Sequence, residues 1–307
     1  MSANESALAG SIALTRRIDL LRSLSPLISS AQDPTIRIRR DGFARASHTP
    51  AAHGTLVVEG VRGDDRRYSL RAYGPGAQWL LERAPGLLGA HDADRGFVPQ
   101  HPTVARAHHR HPGLRLVATG TVADVLVATI IAQRVTSLEA GRSWTRLVRR
   151  HGSEAPGPYH LLLPPHPSVL ARTSEATYHA LGIERGRARR IIQACRYVPQ
   201  LDAALGLPAT ERQERWRSVP GIGPWTAALL SRLAAGDPDA VEIGDHHVKH
   251  LVSWNLAGEP RGSDERMCSL LAPYAGQRGR VVRLLGVGGQ PPPRYGARTA
   301  PSAAMGT

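Results

Sequence analysis

The segment Val219-Pro220-Gly221-Ile222-Gly223-Pro224-Trp225 constrains this chain more than any other. Thr210, with Gln213 three residues on, has the pattern of a capping box and opens a helical segment over 210–219. Pro224 can start a second helix, because the first turn has no use for its missing amide hydrogen. Between the two stands one isoleucine flanked by glycines. Gly221-Ile222-Gly223 can take backbone angles closed to bulky residues. Without side chains at 221 and 223, the amides of the turn lie open to an anion, and the positive end of the following helix adds to the attraction. Ile222 is expected to point back between the helices and fix the turn. The bland alternative is a tight turn that merely joins two packed helices.

The charge balance bears on what such a turn would hold. The 307 residues carry a formal net charge of +14, with a pI of about 11.0. That favours an anionic partner, nucleic acid first. Lys249 is the only lysine, so 38 of the 39 basic residues are arginine, whose fork of donors can bind two phosphate oxygens at once. The two cysteines, Cys195 and Cys268, cannot make a four-cysteine metal or iron–sulfur site and read as ordinary thiols. The N-terminal "MSANESALAGSIALTRR" is too polar for a signal peptide. No apolar run approaches the roughly 18 residues of a membrane span. The expectation is a soluble cytoplasmic protein, associated with the nucleoid.

At 41% hydrophobic the chain can bury a substantial core. Residues 1–14 are small and polar and read as disordered. Residues 15–111 read as a small α+β domain, with strand patterns at 35–40, 55–61 and 66–74 and a helix over 75–89 that breaks at Pro85. From 112 to 286 the helical period dominates, with helices expected at 121–133, 137–152, 164–182, 185–198, 210–219, 224–235, 246–256 and 264–285. The glycine- and proline-rich 287–307 reads as a disordered tail. The fold class is mostly α, with an α+β domain at the N-terminus.

"VPGIGPWTAALL" (219–230) followed by "VEIGDHHVKH" (241–250) resembles the helix-hairpin-helix DNA glycosylase superfamily, and within it the bacterial 3-methyladenine DNA glycosylase II branch. "HPGLRL" (111–116), "VLVATIIAQRVT" (125–136), "ALGIERGRARRI" (180–191) and "RGRVVRLL" (278–285) fall in the order and spacing of that branch. The resemblance covers about 15–286. It implies two helical subdomains flanking a cleft, with the hairpin at 219–224, and a small β-sheet domain. It further implies a monomeric enzyme of base-excision repair that needs no cofactor. Such an enzyme extrudes a damaged, alkylated base from duplex DNA, at a cost on the order of a few kcal/mol, and hydrolyses its N-glycosidic bond.

The resemblance places the catalytic carboxylate at Asp245, 22 positions after Gly223. Breaking the bond builds positive charge on the deoxyribose, which an ionised carboxylate stabilises while it orients the attacking water. An aspartate at a helix start is also a normal cap, and the two roles are compatible. Asp237 and Asp239 read as loop residues. Strand-cutting relatives carry a lysine two residues after the hairpin, where this chain has Trp225. Lys249, four residues after Asp245, reads as an ion-pair partner for it. The expectation is a monofunctional enzyme that leaves an abasic site. The alternative is a DNA-structure-binding protein that keeps the hairpin without useful catalysis.

Other site residues follow from the same resemblance. Gly221, Ile222, Gly223 and Thr226 fall in the DNA-binding hairpin. Trp225 aligns with a tryptophan of the base pocket, whose face would attract a cationic base. Leu229, His246 and Gly286 stand where the best-known member of the branch has aromatic rings, so this pocket is poor in them. Gln133 and Arg134 occupy the position of the side chain that fills the gap left by the extruded base. Arg134 offers a planar guanidinium that could stack there, or it is a surface arginine at a helix end. The main-chain carbonyls of Arg217, Val219 and Ile222 align with those that hold a monovalent cation in relatives. His108, His109 and His111 read as a solvated, weakly basic surface.

Overall fold

A computed structural model describes residues 7–50, 52–94 and 96–293. Of the disorder expected at 1–14 and 287–307, residues 1–6 and 294–307 lie outside the described residues. The start of the expected tail is ordered, because the last described helix runs to Gly288 and the Gln290 amide donates to Asn255 Oδ1 (2.8 Å). A five-stranded antiparallel sheet comes first, built from β1 (Ala7–Ala13), β2 (Ile36–Ile38), β3 (Gly42–His48), β4 (His53–Val61) and β5 (Asp64–Tyr73), in the order β1-β5-β4-β3-β2. A short helix, α1 (Leu20–Leu24), leads into a 3-10 turn at Ser25–Leu27 between β1 and β2. The cross-strand pairs Leu56–Ala72 and Val58–Leu70 put apolar side chains on one face. Helix α2 (Ala77–Leu87) covers that face with Leu80, Ala84 and Leu87.

Three expectations for this region are corrected. Residues 7–13 form an edge strand, in register with β5 from Ala7–Tyr73 to Ala13–Arg67. Their side chains are small and mostly exposed, so the apolar signal is weak; pairing with β5 holds the strand, and Ile12 packs against the core beneath it. Strand β3 went unread because alanines alternate there with a buried arginine, Arg45. Helix α2 runs through Pro85, which removes one amide donor; buried Ala84 and Leu87 keep the helix on the sheet.

The helical body contains α3 (Pro102–Arg110), α4 (Ala123–Ile131), α5 (Ser137–His151), α6 (Pro167–Leu170), α7 (Glu175–Ala180), α8 (Arg185–Cys195), α9 (Val198–Ala203), α10 (Ala209–Arg217), α11 (Pro224–Ala234), α12 (Val248–Ala257), α13 (Asp264–Leu271) and α14 (Arg278–Gly288). It has two cores. Leu126, Ile130, Leu147, Ile191, Trp216 and Leu230 centre the first. Val104, Val252, Met267, Leu271 and Val281 centre the second. The domain boundary expected at 111 moves, because fully buried Val104 and Ala107 seat α3 in the second core.

The helix expected at 164–182 is broken into α6 and α7, and that at 264–285 into α13 and α14 around Pro273 and left-handed Gly276 (φ 85°). Thr210 makes no capping box. The cap of α10 is Pro208, which puts Thr210 inside the helix. A capping box does open α5, between Thr136 and Glu139.

Arginines join these layers from within. Among the described residues, Arg45, Arg115, Arg187, Arg212 and Arg280 are buried. Arg45 donates to Asp124 across 2.8 Å, tying the sheet to α4. Arg280 of α14 binds Asp92, and Arg16 and Arg115 bind Asp94, so the loop after α2 is clamped to both neighbours. Arg212 donates to Ser231 Oγ (2.8 Å) and Asp237 Oδ2 (3.3 Å). No described helix is long and apolar enough to cross a membrane.

Candidate active site

The hairpin joins α10 to α11. Val219 and Ile222 are buried in the first core, so the turn is anchored as its isoleucine requires. The two glycines differ. Gly221 has φ +95°, and a Cβ there would sit 2.9 Å from the Arg190 side chain. Gly223 has φ −86° and ψ −177°, extended backbone open to any residue, and a Cβ there would meet nothing within 4 Å. The left-handed conformation expected of both is needed only at Gly221. The first backbone bond of α11 runs from the Ala227 amide to the Gly223 carbonyl (2.9 Å). The amides of Trp225 and Thr226 precede it in the first turn, where helical partners are lacking.

Gln133 and Thr226 have internal partners. Gln133 Nε2 donates to Thr226 Oγ1 (2.9 Å) and to the Gly221 carbonyl (3.3 Å), and Arg190 Nη1 donates to Gln133 Oε1 (3.1 Å). These side chains brace the hairpin against the end of α4; Thr226 is buried. Arg134, next in sequence, is exposed and holds a left-handed backbone with φ +57°, an uncommon conformation for a side-chain-bearing residue.

Asp245 is half-buried in the loop before α12. Its Oδ1 accepts the amides of His247 (2.7 Å) and Val248 (3.0 Å), and its Oδ2 accepts Trp225 Nε1 (2.8 Å). Three N–H donors thus fix both oxygens. The nearby carboxylates are structural: Asp237 takes Arg212 and Ser231, and Asp239 takes the Arg278 amide and guanidinium. Lys249 does not pair with Asp245. Its Nζ lies 3.8 Å from Asp264 Oδ2, because Asp245 faces Trp225 and the amides of α12.

A pocket of about 380 Å³ opens between the two cores. Leu229 and Arg232 of α11 form one wall, Asp245 and Val248 another, and Val282, Arg283 and Gly286 of α14 a third.

The solved structure of 3-methyladenine DNA-glycosylase from Archaeoglobus fulgidus superposes with a TM-score of 0.72 at 17% identity, over 90% of this chain and 97% of that one. The fold is that of the helix-hairpin-helix DNA glycosylases. A Clostridium acetobutylicum 8-oxoguanine glycosylase/lyase superposes with a TM-score of 0.69 at 12% identity, over 91% and 96% of the two chains. In sequence, 136 residues are 27% identical to a Mycobacterium tuberculosis protein named "Probable bifunctional transcriptional activator/DNA repair enzyme AlkA". That match takes in 44% of this chain and 27% of the relative, so it spans about a quarter of the relative's length. No protein-family profile matches the chain.

Within the glycosylase fold, Leu229 lines the pocket, whereas Trp225 lies against Asp245 and does not line it. His246 is exposed, with its ring 5.0 Å from His247 and 5.7 Å from His250. Three charged residues of the pocket were not singled out from the sequence. Glu242 is 3% exposed; its Oε1 accepts Arg232 Nε (2.7 Å), while its buried Oε2 has no partner. Arg283 Nη2 donates to Ser25 Oγ (2.7 Å). Burial, with Arg232 nearby, pushes its guanidinium down to about 10, and Glu242 opposes the shift. A charge three residues before Asp245 was the one available signal, and no helical or strand period gave it a direction.

His108 is half-buried, with its ring 5.4 Å from Phe97, so the solvated histidine surface contracts. Burial and Arg280 hold His108 below the usual histidine value. No group of three or more His, Cys, Asp or Glu residues among those described could hold a metal ion.

Proposed function

We propose that the protein is a monofunctional DNA glycosylase of base-excision repair, acting as a monomer on duplex DNA that carries an alkylated base. The observation that carries this reading is the link between hairpin and carboxylate. Trp225, the second residue of α11, leaves the turn and holds Asp245 at the pocket rim through a 2.8 Å bond. A phosphate held by the amides around Gly223 would place the adjoining nucleotide beside that carboxylate.

With the base in the pocket, the C1′–N bond breaks and its electron pair leaves with the base. A base alkylated on a ring nitrogen leaves as a neutral molecule. Asp245 stabilises the positive sugar, water adds at C1′, and the carboxylate accepts the water's proton. The fixed orientation of both Asp245 oxygens means that this charge stabilisation needs little reorganisation. Trp225 at the position of the strand-cutting lysine, and Lys249 directed at Asp264, support hydrolysis without a covalent intermediate. The carbonyls of Arg217, Val219 and Ile222 lie in one turn. That of Val219 accepts the Ile222 amide (3.1 Å) and keeps a lone pair, so together they would suit a monovalent cation that reinforces the phosphate grip.

Asp245→Asn tests the reading. Base release from alkylated duplex should fall by about a hundredfold or more, duplex affinity should stay, and borohydride should trap no enzyme–DNA adduct in the wild type. Undiminished release by the variant would overturn the role of Asp245, and a trapped adduct would overturn the monofunctional assignment.

A further inference from the structure

Glu242 sits in the same pocket as Asp245, yet the hydrolysis derived above gives it no task. One of its oxygens is occupied by Arg232, and the other is buried without a donor. A buried carboxylate oxygen left unpaired is costly, and native structures rarely leave one so. The remaining charged wall group is Arg283, a donor with no acceptor capacity. The pocket therefore pairs an acceptor, Glu242, with a donor, Arg283. Two carboxylates and two guanidiniums line it, so it has no net charge to favour a cationic base. Leu229 and Gly286, in place of aromatic rings, leave recognition to polar groups.

We propose that Glu242 and Arg283 read the edge of the extruded base, and that the pocket selects bases with a lactam edge, a ring N–H beside a ring carbonyl. A rotation of the Glu242 side chain presents Oε2 to the ring N–H, and Arg283, whose Nη2 is held by the Arg22 carbonyl and Ser25, donates through its other N–H groups to the neighbouring carbonyl oxygen. Guanine-derived bases and hypoxanthine carry that edge; bases that keep the C6 nitrogen of adenine, 3-methyladenine and 1,N6-ethenoadenine among them, do not. Among alkylated purines the site selects 7-methylguanine over 3-methyladenine. Glu242 is thus a specificity-determining residue, distinct from the catalytic Asp245. The assignment rests on the glycosylase reading and narrows its substrate class.

The full chain is incubated with methylated duplex DNA and with duplexes carrying a single hypoxanthine or a single 1,N6-ethenoadenine. Released bases are identified by mass and rates are corrected for loss without protein. The wild type should release 7-methylguanine and hypoxanthine at least about tenfold faster, relative to the uncatalysed loss, than 3-methyladenine and ethenoadenine. Glu242→Gln should reduce release of the lactam bases by about tenfold or more and that of the others by less than about threefold. The wild-type comparison stands whether or not the variant folds. Equal release of both classes by the wild type would overturn the proposal, as would an equal loss of both in a folded Glu242→Gln. Release that depends on Asp245 but is confined to 3-methyladenine and ethenoadenine sinks this inference alone. Release of no base from any duplex sinks both readings.

Discussion

A single hydrogen bond from the Trp225 indole changes what that residue does. A pocket tryptophan would offer its ring face to the base, but here its Nε1 holds Asp245 Oδ2 across 2.8 Å. The ring matters as a rigid arm that carries one donor. Trp225→Phe keeps the arm and removes the donor. Hydrogen bonds to charged groups contribute about 1.5–3 kcal/mol, so single-turnover base release should drop by about tenfold or more. Duplex affinity should hardly change, and the melting temperature should fall only by the few degrees that one lost hydrogen bond costs. A lowered melting temperature with an unchanged rate would mean that Trp225 only packs. The position of Asp245 was legible from the residues around it, but its partner was not. Trp225 and Asp245 are twenty residues apart, and only the return of the loop after α11 brings them together. The same holds for Arg283, which reaches the pocket from the last described helix.

At the scale of the element, the hairpin separates two glycines that look alike in sequence. Gly221 serves the turn, since its φ of +95° and the 2.9 Å approach to Arg190 leave no room for a side chain. Gly221→Ala should destabilise the protein by roughly 1–3 kcal/mol, which thermal unfolding would show. Gly223 serves no such purpose, because its backbone is ordinary and the space beyond it is open. Gly223→Ala should therefore leave the melting temperature alone and weaken binding to damaged and undamaged duplexes by similar factors, because backbone contacts do not read bases. Its salt dependence should be that of the wild type, since no charge is lost. Unchanged affinity would mean that phosphate does not approach at Gly223. The helices and the turn were legible because their apolar period and their glycines coincide. Strand β1 was not, because its order comes largely from pairing with β5, and of its side chains Ile12 packs against the core.

Across the whole molecule, four histidines set the response to acid. Burial depresses His48, His108, His111 and His250 below the usual 6.5. Neighbouring positive groups add to the effect on His108 and His250. The folded chain then binds fewer protons than the unfolded chain once the pH drops below about 6.5. Their contribution to stability is complete above that value and is lost as pH falls through the folded-state values. Melting temperatures measured from pH 8 to pH 5 should hold at the upper end and decline below about 6.5; a flat profile would show that these histidines are solvated. The run of helical periods made the helical body legible, but its division into two cores was expected only from the resemblance; the allegiance of α3 was not legible, because only the return of α14 reveals it. The buried arginines carry a further consequence. Arg45, Arg115, Arg187, Arg212 and Arg280 spend their charge on carboxylates and carbonyls inside the protein. Four of them face an aspartate that the net charge of +14 already subtracts, so the positive excess that a polyanion meets is carried by arginines nearer the surface.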